Sequence, residues 1–159
     1  AMMSVIKKLG AFFAAVLVVF YASSAMAANP ASFAAGDAGN AWDLIVVRKP
    51  ESKNSATLKT TYGITGTGKN GVKVAYYRFN GSAYVSVKNG DGTTAQTTVG
   101  KAGVFYKQVS LSEGHNKFAV RADAGGAYQV VYFDINVLRQ EIMNNVSNGI
   151  QSLYNGWIN

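Results

Sequence analysis

The sequence predicts an all-β fold, an antiparallel β-sandwich of seven or eight strands, and three observations indicate it. Between residues 42 and 138, short runs of β-branched and aromatic residues alternate with turn sequences rich in Gly, Asn and Asp. The connections are short and no helical pattern separates consecutive runs, so βαβ units and a parallel sheet are not expected. Apolar residues make up 48% of the chain, which is enough for a hydrophobic core.

Residues 1–27 have the layout of a secretory signal peptide. Lys7 and Lys8 precede an uncharged apolar run, and small residues then lead to Ala25-Met26-Ala27, an A-x-A cleavage site. Cleavage there would make Ala28 the first residue of the mature chain. Removing the two lysines from the net charge of +7 would leave +5.

An uncleaved membrane anchor is the alternative for the same segment. Residues 9–28 carry no charge and are long enough to cross a hydrocarbon core of about 30 Å. The chain would then contact a membrane through residues 5–27 only. The small residues before the A-x-A site favour cleavage. In both cases we expect an exported bacterial protein of the periplasm, cell surface or extracellular space.

The composition excludes several kinds of chemistry. The chain has no cysteine, so disulfides, thiolate nucleophiles and thiolate metal sites are absent. Its positive charge is spread along the chain and not concentrated in a basic run with interleaved aromatics, so we expect no nucleic-acid interface. Such a charge distribution is typical of a solvated surface, and weak attraction to an anionic cell-envelope polysaccharide is the alternative.

Residues 28–41 are small and almost uncharged, which predicts a flexible linker, with ordered structure beginning near Trp42. The first strand is expected at 42–49, where Pro50 ends it. The second is expected at 56–66, where apolar and polar residues alternate.

A β-hairpin is predicted between the runs at 72–79 and 82–88. Asn80-Gly81 separates them, and this pair tolerates the positive φ angles of a two-residue type I′ turn. The threonine-rich run at 93–99 is expected to be a weaker edge strand that faces water.

Three more strands are predicted before the chain changes character. They lie at 103–112, 116–123 and 127–138, and Gly125-Gly126 form the tight turn before the last of them.

The segment 139–159 predicts an amphipathic α-helix. No charged residue follows Glu141, and Asn, Ser and Gln occupy most of the face opposite the apolar residues. A neutral helix of this kind is expected to pack on its own domain or on a partner, because an interfacial membrane helix normally has a basic polar face. The apolar residues recur at helical spacing: Ile142, Val146, Ile150, Leu153, Tyr154, Trp157 and Ile158.

Two stretches carry a family resemblance. "YGITGTGKNGVKVAYYRF" (62–79) resembles the segment of bacterial immunoglobulin-like domains in which a strand ends in I-x-G and the next begins with V-x-V after a turn. "VSLSEGHNKFAVRADAGG" (109–126) is similar to their later L-x-E-G-x-N segment. The resemblance implies an immunoglobulin-like β-sandwich over 42–138. It also implies an adhesion, spacer, assembly or carbohydrate-binding role without a catalytic set.

The function expected from these observations is non-enzymatic: a structural or assembly module of the cell envelope or surface that acts through protein contacts, with a protein partner or by self-assembly. The apolar stripe of the C-terminal helix is the first expected contact surface. The second is the segment 28–49, whose apolar stretch "AWDLIVV" could add as a strand to the sheet edge of another chain. The candidate contact residues there are Trp42, Leu44 and Val46, and on the helix Ile142, Val146, Ile150, Leu153, Tyr154 and Trp157.

Carbohydrate binding is the alternative function. On the predicted hairpin Tyr76, Tyr77 and Tyr84 fall on both faces, so some of these rings are expected to be exposed, where they could stack on sugars. Cross-strand pairing within the hairpin is the competing interpretation.

Catalytic, cofactor and metal sites are not expected. His115, the single histidine, lies in a Glu-Gly-x-Asn turn without a recognisable nucleophile or acid–base partner. The sequence "NGDGT" (89–93) has only Asp91 as a carboxylate, which is too few for a calcium loop and favours a hairpin turn.

Overall fold

The computed structural model describes residues 29–158, which form ten β-strands and one α-helix. The predicted signal peptide or anchor therefore lies outside the described residues. Within them, no helix is both long and apolar enough to cross a membrane. The elements are β1 (Ser32–Ala34), β2 (Ile45–Lys49), β3 (Asn54–Thr57), β4 (Thr61–Gly68), β5 (Lys73–Phe79), β6 (Ala83–Ser86), β7 (Gln96–Thr98), β8 (Val104–Ser110), β9 (Gly114–Asp123), β10 (Tyr128–Val137) and α1 (Gln140–Ile158).

The strands form two sheets, which confirms the prediction of a β-rich chain with mainly antiparallel pairing and a C-terminal helix. The large sheet has the order β1-β6-β5-β9-β10-β3, and β7 also pairs with β5. The small sheet has the order β2-β4-β8. The pairing of β3 with β10 is parallel, and the other pairings are antiparallel.

The run at 56–66, predicted as one strand, contributes to both sheets. Residues up to Thr57 belong to β3 and pair with β10 in the large sheet, whereas residues from Thr61 belong to β4 in the small sheet. The chain thus crosses between sheets over three residues, although apolar and polar residues alternate in the sequence through the crossing. This crossing and the additional strand β1 bring the strand count to ten.

One hydrophobic core is shared by the two sheets. Ile64 and Phe105 from the small sheet cluster with Tyr76, Phe118 and Ile135 from the large sheet. The rings of Tyr76 and Phe105 lie 6.4 Å apart between centroids. Burial of these side chains between the sheets supplies the main hydrophobic stabilisation.

The other face of the large sheet is covered by the segment that the sequence predicts as a flexible linker. In the structure this segment is not a free linker, because β1 pairs with β6. The centroid of the Phe33 ring lies 4.7 Å from that of Tyr77 and 5.6 Å from that of Tyr84. The hydroxyl of Tyr77 donates a hydrogen bond to the carbonyl oxygen of Pro30. Residues 29–41 are ordered by these tertiary contacts, which their small side chains do not reveal in the sequence.

The hairpin of β5 and β6 forms as predicted, with a different turn. Phe79 pairs with Tyr84, so four residues separate the paired positions and not two. The side-chain oxygen of Asn80 accepts hydrogen bonds from the backbone N–H groups of Ser82 and Ala83. No residue other than glycine has a positive φ among those described, so Asn80 does not form the type I′ turn.

Candidate functional site

The apolar side of α1, which the sequence predicted as a contact surface, is exposed. Two residues separate the helix from β10, and the guanidinium of one of them, Arg139, forms an ion pair with Glu113. We define the helix face as the six predicted contact residues, whose exposed fractions range from 52% to 88%: Ile142, Val146, Ile150, Leu153, Tyr154 and Trp157. The helix forms as predicted, and its apolar stripe stays in solvent.

The helix face is electrically neutral. Glu141, in the first turn, is well placed for the positive end of the helix dipole, and no charged residue follows it. Such a surface can bind an apolar partner surface without forcing a charge out of water.

The predicted contact residues between positions 42 and 46 are divided between surface and core. Trp42 is 86% exposed and Val46 is half exposed, but Leu44 is buried in the core. The assignment of Leu44 as a contact residue is therefore corrected: its side chain supports the fold and is not available to a partner.

The edge of β2 is partly occupied, which limits strand addition there. The side-chain oxygen of Gln129 accepts hydrogen bonds from the N–H groups of Leu44 and Ile45, and its amide donates to the carbonyl of Ile45. The register with β4 also shifts between Val47 and Lys49. Bulges and occupied backbone groups are known means of protecting a sheet edge.

The three tyrosines of the carbohydrate alternative are buried. Tyr76 lies in the core between the sheets, and Tyr77 and Tyr84 lie under Phe33 on the other face. Burial raises the pKa of Tyr76 and that of Tyr77 to about 12. The prediction of exposed rings fails because the large sheet is covered on both faces, so no ring at these positions can stack on a sugar.

His115 lies on the surface within β9, where it pairs with Asn136, and not in the turn that the sequence predicted. Its Nδ1 atom is 2.9 Å from Oδ2 of Asp134, which joins β9 to β10. Among residues 29–158, no three His, Asp or Glu side chains are grouped so that they could hold a metal ion. The carboxylate of Asp91 accepts hydrogen bonds from the N–H and hydroxyl of Thr93, so the "NGDGT" segment closes a turn.

A groove that the sequence did not predict lies at one end of the small sheet. Its volume is about 350 Å³. The ring of Tyr106 crosses from β8 over Gly63 of β4, where a Cβ atom would lie 2.8 Å from the ring carbon Cε2. The lining includes Lys49, Lys59, Thr61, Tyr62, Tyr106 and Gln108.

The residues that line this groove come from separate strands, so no single stretch of the sequence predicts it. The alternation in β8 places Tyr106 and Gln108 on one face, and Gly63 leaves room beside it. Only the register of β4 with β8, in which Gly63 pairs with Gln108, brings these residues together. A single sequence does not reveal that register.

No protein-family model matches the chain, and no curated protein matches it.

Proposed function

We propose that this chain is a non-enzymatic structural module of an exported bacterial protein, with an immunoglobulin-like β-sandwich that assembles with other copies of the chain through the helix face. The signal-peptide layout of residues 1–27 supports export, and the motifs at 62–79 and 109–126 support the immunoglobulin-like assignment. The exposed helix face is the observation that carries the assembly role.

The helix face is too apolar to be an ordinary solvent-exposed surface. Its six side chains are aliphatic or aromatic, and each is more than half exposed. Full burial of one such side chain contributes about 1.5–3 kcal/mol. Contiguous exposed patches of this kind mark interaction sites.

The helix also needs a partner for its own stability. It contains Gly149 and Gly156 and four asparagines, residues with low helix propensity. A helix of 19 residues with this composition is marginal in water unless its apolar face is packed. Association would therefore stabilise the helix and bury its face in the same step.

A second copy of the chain is the occupant that the charge pattern favours. From Ile142 to Ile158 the helix carries no charge, so two copies can approach without repulsion between like charges. The apolar residues repeat at an interval of 11, from Ile142 to Leu153 and from Val146 to Trp157. An 11-residue repeat is close to the natural period of the α-helix, so the stripe stays on one side along its length.

Sedimentation of the purified chain tests this proposal. We expect the wild type to form a dimer or a larger closed oligomer at micromolar concentration. Leu153→Asp, on the helix face, should give a monomer, because the charge would be buried in the contact. Ser152→Asp places the same charge on the polar side and should leave the assembly intact.

Two results would contradict self-assembly. One is a wild-type chain that stays monomeric at tens of micromolar. The other is equal disruption by Leu153→Asp and Ser152→Asp, which would show a general effect of added charge. Thermal unfolding of both variants checks that the β domain remains folded.

A further inference from the structure

The groove beside Tyr106 has the chemistry of a ligand site on the small sheet. The Tyr106 side chain is 57% exposed, and Gly63 beneath it leaves the space in which the ring lies across β4. Thr57, Thr61 and Gln108, which carry hydroxyl and amide groups, are among the other lining residues. A volume of about 350 Å³ lies at the lower end of the range for small-ligand sites.

The charged groups of the groove are cationic. Lys49 and Lys59 line it, and no carboxylate is among the lining residues. Neither lysine forms an ion pair within the part of the chain that the structure describes. The ammonium group of Lys49 lies 5.6 Å from the centre of the Tyr62 ring, within the range of a cation–π contact.

One negative charge, that of Glu51, acts on the lining residue Tyr62. Burial and, to a smaller extent, the charge of Glu51 raise the pKa of Tyr62. Glu51 does not line the groove, so an anion there would meet the two ammonium groups first.

We propose that this groove binds an acidic saccharide, with one sugar ring stacked on Tyr106 and its carboxylate held by Lys49 and Lys59. An aromatic ring exposed on a sheet offers a flat apolar surface to the C–H face of a sugar. Threonine hydroxyls and a glutamine amide supply both donors and acceptors for sugar hydroxyls. The two unpaired lysines select a negatively charged sugar over a neutral one.

This site is independent of the helix face. It lies on β2, β4, β8, the end of β3 and the β3–β4 connection, and none of its lining residues belongs to α1. The chain can therefore bind the saccharide whether or not it assembles with other copies. Failure of one proposal leaves the other standing.

Calorimetric titration with three short ligands tests the proposal. Trigalacturonate has sugar rings and carboxylates, maltotriose has rings without charge, and triglutamate has carboxylates without rings. At low salt we expect the full chain to bind trigalacturonate, and to bind the other two at least about tenfold more weakly, because each lacks one of the two interactions.

Substitutions of the lining residues test whether the ligand binds in the groove. Tyr106→Ala should weaken trigalacturonate binding about tenfold, and Tyr106→Phe, which keeps the ring, should stay within about threefold. Lys59→Gln should weaken binding and reduce its dependence on salt. Lys101→Gln removes an exposed lysine outside the groove and is the matched control.

Several outcomes would overturn the proposal. They are the absence of trigalacturonate binding, equal binding of triglutamate, equal binding of maltotriose, and an unchanged affinity in Tyr106→Ala. An equal loss in Lys59→Gln and Lys101→Gln would show attraction to the general positive charge and would also overturn it. Circular dichroism of each variant verifies its fold.

Discussion

The guanidinium of Arg121 lies 3.1 Å from the carboxylate of Asp123, and the two side chains are only 10% and 4% exposed. Both residues belong to β9, two positions apart, so they lie on the same face of the large sheet. Nη1 of Arg121 also donates a hydrogen bond to the side-chain oxygen of Asn29. Its guanidinium lies 4.3 Å from the centre of the Tyr128 ring. This buried pair therefore holds the first described residue of the chain against the sheet.

Asp123→Ala should destabilise the chain by roughly 3 kcal/mol. The change leaves the Arg121 charge buried without its carboxylate, and removal of one partner of a buried pair commonly costs about 3–5 kcal/mol. It also removes the acceptor of the Gly125 N–H. Urea unfolding followed by circular dichroism measures the change.

The exposed pair of Lys69 and Asp43 provides the matched control. Both side chains are more than half exposed, and surface ion pairs contribute little to stability. Asp43→Ala should therefore leave the unfolding midpoint nearly unchanged. A loss as large as that of Asp123→Ala would contradict the assignment of stability to burial.

The buried tyrosines predict a loss of stability at alkaline pH. Burial raises the pKa of Tyr76 and that of Tyr77 to about 12 in the folded chain, from the ordinary value of 10.0. Below pH 10 both states keep these protons, so the contribution of the tyrosines is constant there. Between pH 10 and 12 the unfolded state releases protons that the folded state keeps, so the free energy of unfolding falls as pH rises.

Tyr77→Phe isolates this effect. The variant loses the hydrogen bond to Pro30 and should be less stable by about 1 kcal/mol at neutral pH. Its stability should fall less steeply than that of the wild type between pH 10 and 12, because one titrating group is gone. Tyr106→Phe, at an exposed site, should keep the wild-type slope. Equal slopes for Tyr77→Phe and the wild type would refute the prediction.

The α1 sequence predicts that its helicity depends on chain concentration. If association stabilises the helix, the circular dichroism signal at 222 nm should weaken on dilution below the dissociation constant. Gly149→Ala should restore part of this signal in dilute solution, because alanine favours the helix by about 1 kcal/mol over glycine. A Cβ at Gly149 meets no atom within 4 Å in the single chain. A signal that is independent of concentration would argue against the coupling.

Strands with local sequence signals could be predicted, and contacts between distant segments could not. The alternation in β5, β8, β9 and β10 and the change of period at α1 are local patterns, and each element forms near its expected position. By contrast, β1 depends on Phe33 meeting Tyr77 and Tyr84, which lie far away along the chain. The residues beside Phe33 are small and do not form the alternating pattern of a strand, so the sequence predicts a linker there.

The same difference between local patterns and distant contacts explains which of the candidate binding surfaces the sequence could predict. The helix face is visible in the sequence because one helix contains it. Whether Tyr77 is exposed depends on what covers the large sheet, and alternation alone cannot show a second covering layer. The groove at Tyr106 needs the register of β4 with β8, and this depends on pairing over about 45 residues of chain.

Gly66→Ala should be strongly destabilising. A Cβ at this position would collide with the ring of Phe105 and would lie 2.5 Å from the carbonyl oxygen of Val46. The ring is buried in the core and the carbonyl belongs to the neighbouring strand β2, so neither can move away easily. Overpacking of this kind typically costs about 1–3 kcal/mol.

Gly90→Ala is the matched control for this substitution. Gly90 lies in the turn after Lys88, and a Cβ there meets no atom within 4 Å. Its φ is not in the positive range that penalises side chains. Urea unfolding should show no loss of stability for Gly90→Ala and a clear loss for Gly66→Ala. Similar midpoints for the two variants would contradict the close packing of β4 against Phe105 and β2 within the small sheet.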